Sequence, residues 1–401
     1  MRVLVAPDCF TGTLTAGEAA RAVAEGWHRR APDDVLELCP LSDGGPGFVD
    51  VLHETLGGRL LEVEVSGPLG EPAGATVLVT DGSAGAGASG GAGGPQLRVG
   101  WVESAQACGL HLVPPDRRDP GRTTTAGLAG LLGAARAAGA ARVVVGLGGS
   151  GTNDAGAGLL VGLAREAGVA VPDGVAARLE SGGAGLRDVT AAELGWLAAV
   201  RESWSGVELV TASDVDVPLL GLHGASAGFA EQKGATPDQA QGLERCLGDF
   251  AAAALQVLGL ERRTTGLPGA GAAGGLGFAL FLLGARRVPG AQAVLDAVGF
   301  ADRLRANDLV VTGEGRFDWQ SLRGKVVAAV AHEALAVGTP VVVVAGQVDV
   351  GRREALAIGV ESAYPVAQTP AEVDAALADP YGTLAERAAR VARTWSPGAG
   401  S

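Results

Sequence analysis

ARVVVGLGGSGTNDAGAG, residues 141–158, sets a short apolar run against a glycine-rich turn and then a cluster of polar side chains. Ala141 to Val145 has strand character, and Ala155 to Ala164 is rich in Ala and Leu. The order reads as a strand, a turn and a helix start. Glycines in such a turn let backbone N–H groups converge on an anion, and the helix N-terminus adds the positive end of its dipole. Phosphate is the expected guest. The polar cluster Ser150, Thr152, Asn153 and Asp154 adds chemistry that a bare cradle lacks. An ionised Asp beside phosphate is repulsive unless a cation lies between them or it takes a proton, so Asp154 points to Mg²⁺ or to catalysis. The plainer alternative is that Asn153 or Asp154 caps the helix. Gly146, Gly148 and Gly151 also fit GxGxxG, and Asp173 follows at about the dinucleotide-binding spacing of ~20 residues. Against that alternative, the Asn-Asp pair would set negative charge beside a pyrophosphate. No Walker A sequence is present.

The 401 residues suggest two domains or three, with length to bury a core. Hydrophobic residues make up 47% but aromatics only 4%, so the core must be built from Ala, Val and Leu. That composition suits Val-rich parallel strands covered by Ala/Leu helices. The net charge of −13, with no basic patch interleaved with aromatics, argues against nucleic acid and anionic membranes as partners. An anionic substrate then needs local help from Lys, Arg, helix ends or a metal ion. Cys9, Cys39, Cys108 and Cys246 show no CxxC spacing and the five histidines form no HExxH, which speaks against structural zinc and disulfides. No apolar run approaches the ~20 residues of a membrane span, and the Val3 to Ala6 run is too short for a signal peptide. A soluble cytoplasmic protein is expected.

Outward from the central turn, the same pattern recurs. Met1 to Ala6 reads as a strand running into PDCFTGTLTAGEA, with Thr13 or Thr15 as the cap of a helix to about Arg30. Val35 to Leu38 reads as a strand running into PLSDGGPGFVDVL, which makes Asp43 a residue to watch, because open α/β sheets bind ligands at the carboxyl ends of strands. Leu60 to Val102 reads as hairpin-like strands interrupted by a flexible surface loop, residues 81–95. Thr123, Thr124 and Thr125 stand before a small-residue helix as a cap or a phosphate contact. Asp214 and Asp216 follow the strand Leu209 to Thr211, and Lys233 lies in the next loop. GLPGAGAAGGLG, residues 266–277, is a second glycine-rich turn, fit for phosphate, adenine or tight helix packing. The last third has a clear βαβ rhythm, and its loop carries Glu314, Arg316, Asp318, Gln320, Arg323 and Lys325 directly after a strand.

These motifs together resemble the type 1 glycerate kinase family over nearly the whole length. The blocks are APDCF (6–10), SDGG (42–45), ESAQACGL (103–110), GLGGSGTND (146–154), ASDVD (212–216), QKGAT (232–236), GAGAAGGLG (269–277), and TGEGRFD (312–318) with RGK (323–325). The resemblance implies ATP- and Mg²⁺-dependent phosphorylation of D-glycerate, with 2-phosphoglycerate as the favoured product. It also implies an α/β protein of two domains with the active site in the cleft. A Rossmann-like parallel-sheet domain would be made of both chain ends, 1–60 and 290–401, and a second α/β domain, 61–289, would be inserted. Three departures stand out: Cys9 and Thr11 replace a serine and a lysine of the family pattern, Pro46 and Phe48 replace a glutamate and a threonine, and Val217 replaces an asparagine. The paired loss of Lys and Glu either removes a salt bridge without chemical consequence or marks a larger or less anionic acceptor.

The expected site follows from the resemblance and the loops. Gly148, Gly149, Ser150, Thr152, Asn153, Gly274, Gly275 and Glu314 are expected at the nucleotide, and Asp154 and Asp214 at Mg²⁺. Asp8, Lys233 and Arg316 are expected at the substrate. Asp43, Asp214, Asp318 and Lys325 are expected in catalysis, with Asp43 or Asp318 as the base that takes the hydroxyl proton. The partner is a small hydroxy acid, and the sequence leaves monomer and homo-oligomer open. Two alternatives stand beside this reading: a non-catalytic nucleotide-binding relative, and a dinucleotide-dependent oxidoreductase built on Gly146, Gly148 and Gly151.

Overall fold

The computed structural model describes residues 1–10, 12–82 and 97–396. Thr11, and the loop expected at 81–95 from residue 83 onward, lie outside the described residues.

Eleven of thirteen strands form two main sheets among the described residues. The first contains β1 (Arg2–Val5), β2 (Val35–Leu38), β9 (Leu309–Thr312), β11 (Val341–Ala345) and β13 (Val360–Pro365), in the order β13-β11-β9-β1-β2 and all parallel. The second contains β3 (Arg59–Ser66), β4 (Pro72–Gly82), β5 (Leu97–Glu103), β6 (Arg142–Gly146), β7 (Glu208–Ala212) and β8 (Arg286–Val288), in sequential order. β3, β4 and β5 form an antiparallel meander, and β5 to β8 run parallel. Two short strands, β10 (Arg316–Phe317) and β12 (Gln347–Val348), pair at the carboxyl end of the first sheet. The protein is therefore α/β with mainly parallel sheets.

The sequence explains which strands lie where. Every residue of β9 (LVVT) and of β11 (VVVVA) is buried, as expected of central parallel strands covered on both faces. The edge strand β2 (VLEL) keeps all its residues partly or fully exposed. On one face of the first sheet, helix Ala16–Arg30 packs on helix Pro380–Trp395 around Trp27, Val23, Ala385 and Ala388. The approach is close enough that a Cβ on Gly26 would lie 1.9 Å from Ala385 O. On the other face, helices Phe48–Leu56, Gly290–Ala297 and Val326–Val337 form a core that also takes Leu78, Trp101, Val144 and Val210 from the second sheet. The two sheets thus share one apolar layer.

The strand order of the first sheet, renumbered along the chain, is the doubly wound 2-1-3-4-5. In that arrangement the connections leaving β1 and β9 diverge to opposite faces and open a crevice at their carboxyl ends. The segments leaving these two strands carry Asp8 and Glu314. Among the described residues no helix is long and apolar enough to cross a membrane.

Candidate functional site

The crevice is a cavity of about 590 Å³. Its floor comes from four connections: Asp8 and Cys9 after β1, Ser42 and Asp43 after β2, Gly148 and Gly149 after β6, and Glu314 to Asp318 after β9. Lys325 closes one side and Pro46 another, while Val366, Val373, Ala376, Leu377 and Leu384 line a third. A second cavity of about 370 Å³ shares Asp43, Gly148, Val215 and Lys325 with the first. It extends past Ser213, Asp214 and Val217 on one side and Trp319, Gln320 and Arg323 on the other.

Three carboxylates dominate the electrostatics. Burial and the charges of Asp43 and Glu314 hold Asp8 well above the ordinary carboxylate range, against a hydrogen bond from Cys9 N at 2.7 Å. Glu314 is pushed up to about 7 by burial, with Lys325 and a bond to Ser321 pulling the other way. Its Oε1 is buried without a hydrogen-bond partner among the described residues. Asp214 is likewise raised to about 7 by burial and by Asp43. Asp43 is the common neighbour, positioned by an Asx turn in which its Oδ1 accepts from Gly45 N at 3.0 Å. Crowded, partly desolvated carboxylates of this kind favour a proton or a cation in their midst.

The only cations lining either cavity among the described residues are Arg316, Arg323 and Lys325. Arg316, expected at the substrate, lines the larger cavity and pairs with Asp349, Nε to Oδ2 at 2.6 Å. Lys325 forms no ion pair among the described residues and immediately precedes helix Val326–Val337, whose N-terminus has no side-chain cap. A cation beside uncapped amides is suited to phosphate. Asp318 lies in the larger cavity, its Oδ1 accepting from Gln320 N at 2.8 Å.

Several expected residues are not brought to the cleft. Asp154, expected at a metal ion, is fully buried and faces its own backbone: Oδ2 accepts from Thr125 N, Thr125 Oγ1 and Gly158 N, and Oδ1 from Gly156 N. Burial lifts its pKa against the pull of these donors. The start of helix Ala157–Glu166 is therefore occupied by an internal carboxylate, which removes the anion site that either a phosphate or a dinucleotide would use there. The threonine run contributes to this clamp, since Thr123 Oγ1 also donates to Gly151 O at 2.8 Å.

Ser150, Thr152 and Asn153, expected at the nucleotide, are buried as well. Ser150 Oγ and Thr152 O accept from Lys233 Nζ at 2.9 and 2.7 Å, and Asn153 Nδ2 donates to Ser226 Oγ at 3.0 Å. Lys233 thus holds the turn from beneath instead of reaching substrate, and burial lowers it to about 8. Gly274 and Gly275, also expected at the nucleotide, lie under the same turn. With φ of +67° and +92° they bring their backbone so near that a Cβ on Gly274 would sit 2.0 Å from Thr152 O. Asp214 lines the smaller cavity, but each of its oxygens accepts an amide, from Gly290 N at 2.7 Å and Ala291 N at 3.1 Å, so it also caps helix Gly290–Ala297.

Of the central turn, only Gly148 and Gly149 reach the larger cavity. Gly148 N donates to Gly44 O at 3.0 Å, and a Cβ at Gly148 would come within 2.4 Å of Gly45 Cα. These glycines let two loops from different sheets cross backbone to backbone. Pro46 stands over Gly149 at the cavity wall, whereas Phe48 turns away, buried edge-on to Trp101 at 6.0 Å between ring centroids. The two departures read together in the sequence therefore separate: Pro46 borders the cleft and Phe48 fills the core. The apolar wall from Val366 to Leu384 escaped sequence reasoning because it carries no polar signature. The capping box of Thr369 and Glu372 that starts helix Pro370–Ala378 was the one visible sign of an element there.

The donor set of Asp8, Asp43 and Glu314 is all oxygen, which suits Mg²⁺, and Glu314 Oε1 has an unmet bonding capacity. Among the described residues no three His, Cys, Asp or Glu side chains are close enough to enclose a metal ion alone. Mg²⁺ held mainly by phosphates needs only one or two carboxylates, so the residues fit a cation that arrives with a nucleotide.

Known proteins match nearly the whole chain. Residues 3–396 match the model of the Glycerate kinase family. A protein named glycerate kinase from Bacillus subtilis (strain 168) is 38% identical over 395 residues, covering 98% of this chain and 96% of that protein. One named glycerate 2-kinase from Escherichia coli (strain K12) is 32% identical over 402 residues, covering 99% of each. A crystal structure assigned to glycerate kinase 2 from Salmonella typhimurium LT2 superposes with a TM-score of 0.75 at 34% identity, covering 99% of both chains.

Proposed function

The chain belongs to the glycerate kinase family, and from that premise we propose that it transfers the γ-phosphoryl group of ATP, with Mg²⁺, to a hydroxyl of D-glycerate, giving 2-phosphoglycerate. The observation that carries the site assignment is the meeting of Asp8, Asp43, Glu314 and Lys325 at the crevice between β1 and β9. Phosphoryl transfer asks a protein for charge neutralisation, in-line positioning and an acceptor for the hydroxyl proton.

Asp43 lines both cavities and is the base in this reading: it takes the proton of the attacking hydroxyl as the new O–P bond forms and the bond to the β-phosphate breaks, releasing ADP. Asp318 lines only the larger cavity, which favours Asp43 of the two. Lys325 and the open N-terminus of helix Val326–Val337 hold the transferring phosphoryl group. Glu314 and Asp8 would hold Mg²⁺, which when bound neutralises nucleotide charge. The dinucleotide alternative loses its footing on Asp154, which occupies the helix start it requires.

The test is a coupled ADP-release assay with Mg-ATP and D-glycerate beside a panel of other hydroxy and sugar acids, with product NMR. Turnover on glycerate with phosphate at C2 is the expected result. Turnover only on a bulkier acid would place the acceptor preference at Pro46, and ATP binding without turnover on any acid would overturn the proposal.

A further inference from the structure

We propose that the cleft is divided by ligand: the purine base of the phosphate donor lies in the apolar arm beneath helix Pro370–Ala378, and the carboxylate of the acceptor lies in the smaller arm on Arg323. This rests on the phosphotransferase reading above and extends it to the two binding partners. The geometry is that of two cavities, about 590 and 370 Å³, which meet at Asp43, Gly148, Val215 and Lys325. A transferred group must stand where both ligands reach it, and the shared residues mark that place.

The far wall of the larger arm is Val366, Val373, Ala376, Leu377 and Leu384, with no charged side chain among them. Helix Pro370–Ala378 buries none of its residues, and Leu377 is 62% exposed. An apolar helix face over a cavity is suited to a flat, largely apolar ligand and not to a phosphate or a carboxylate. Gln347 lies at the inner edge of this arm and carries both an amide donor and an acceptor, the pairing that the edge of a purine presents. The arm opens at its other end onto Glu314 and Lys325, where the phosphates would lie.

The smaller arm has the opposite character. Apart from Asp43 at the junction, its acids are already satisfied within the protein: Asp214 by the amides of Gly290 and Ala291, and Asp216 by Arg287 at 2.5 Å. Its cations are not, since Arg323 and Lys325 form no ion pair among the described residues. Arg323 lies over the Trp319 ring, 5.1 Å from its centroid, which fixes the guanidinium plane and leaves its N–H edge for a planar anion. A small carboxylate meets that edge bidentately.

The experiment is steady-state kinetics of the full chain with Ala376→Trp, Leu377→Glu and Arg323→Ala. Leu377→Glu is at an exposed position and does not disturb the core, so it keeps the donor arm testable where the bulky tryptophan fails to fold. Both donor-arm variants should raise the KM for ATP about tenfold or more with the KM for glycerate within about twofold. Inhibition by inorganic tripolyphosphate, which has no base, should be unchanged in Ala376→Trp. Arg323→Ala should do the reverse, raising the KM for glycerate about tenfold or more and sparing ATP, with partial recovery in Arg323→Lys. An exchange of these effects, or an unchanged KM for ATP in both donor-arm variants of an active enzyme, overturns the division alone. A wild-type protein that does not transfer phosphate from ATP overturns the function from which the division follows.

Discussion

Asp43 stands where both arms of the cleft converge, and its position tests the chemistry most directly. Asp43→Asn keeps the Asx turn to Gly45 N but removes the proton acceptor. It should lower kcat by about 10²–10⁴ with the KM for ATP within about twofold, whereas Asp318→Asn should retain most activity. Near-normal kcat in Asp43→Asn would sink the assignment. Glu314 supplies a pH dependence whose sign is fixed by its environment. Burial holds it at about 7, above its ordinary 4.5, so it takes up a proton as the pH falls through about 7 and loses its ability to hold a cation. The KM for Mg-ATP should accordingly rise on acidification from pH ~8 to ~6. Measured at saturating glycerate, that rise should disappear in Glu314→Gln along with most of the affinity. At this scale the sequence showed that Glu314 and Asp43 follow strands, and the structure brings both, with Asp8, to one cavity. The sequence was unreadable where orientation depends on a distant partner. Nothing near Asp154 announces that Thr125 will clamp it, nor anything near Asp214 that Gly290 will meet it.

At the scale of elements, the glycine loops serve contact more than catalysis. Gly148→Ala would place a methyl 2.4 Å from Gly45 Cα, backbone against backbone, and neither loop can yield without moving a sheet. Gly168→Ala makes a contrasting control, because its φ of +68° carries conformational strain with nothing within 4 Å, whereas Gly148 is outside the left-handed region and meets only the steric block. The control should cost about 1 kcal/mol, from the left-handed backbone alone. Gly148→Ala should cost about 1–3 kcal/mol by overpacking alone. Denaturant unfolding measures both, and a loss in Gly148→Ala below about 0.5 kcal/mol would mean that the loop crossing is not tight. Strands such as VVVVA at 341–345 and a threonine cap for the first helix, at Thr13 or Thr15, were legible because their causes are local, and the structure gives Thr15. A glycine run has the same appearance whether a phosphate or another backbone approaches it, so the stretch at 146–151 could not reveal that Gly44 and Gly45 are its neighbours.

The whole molecule is joined by the apolar layer between its sheets, in which Phe48, Trp101, Val144 and Val294 belong to one cluster. A large hydrophobic interface of this kind opposes independent unfolding of its two sides. Calorimetry should therefore show one cooperative transition, displaced upward by Mg-ATP. Two well-separated transitions would mean that the shared layer does not couple the sheets. The α/β class was legible in the Val-rich strands and Ala/Leu helices, but the shared layer was not, because Phe48 sits in a motif that suggests a ligand loop. The first sheet carries one more consequence, and it concerns time. Its first strand β1 lies between β2 and β9, and Thr312 Oγ1 bonds Ala6 O across 306 positions of chain. At a synthesis rate of about 5–20 residues per second, β1 leaves the ribosome about 15 to 60 s before the strand that will cover its open edge. For that interval Val3, Leu4 and Val5 lack their partner on that side, an apolar edge open to pairing elsewhere. The helix Ala16–Arg30, next in the chain, is the first element that packs on β1.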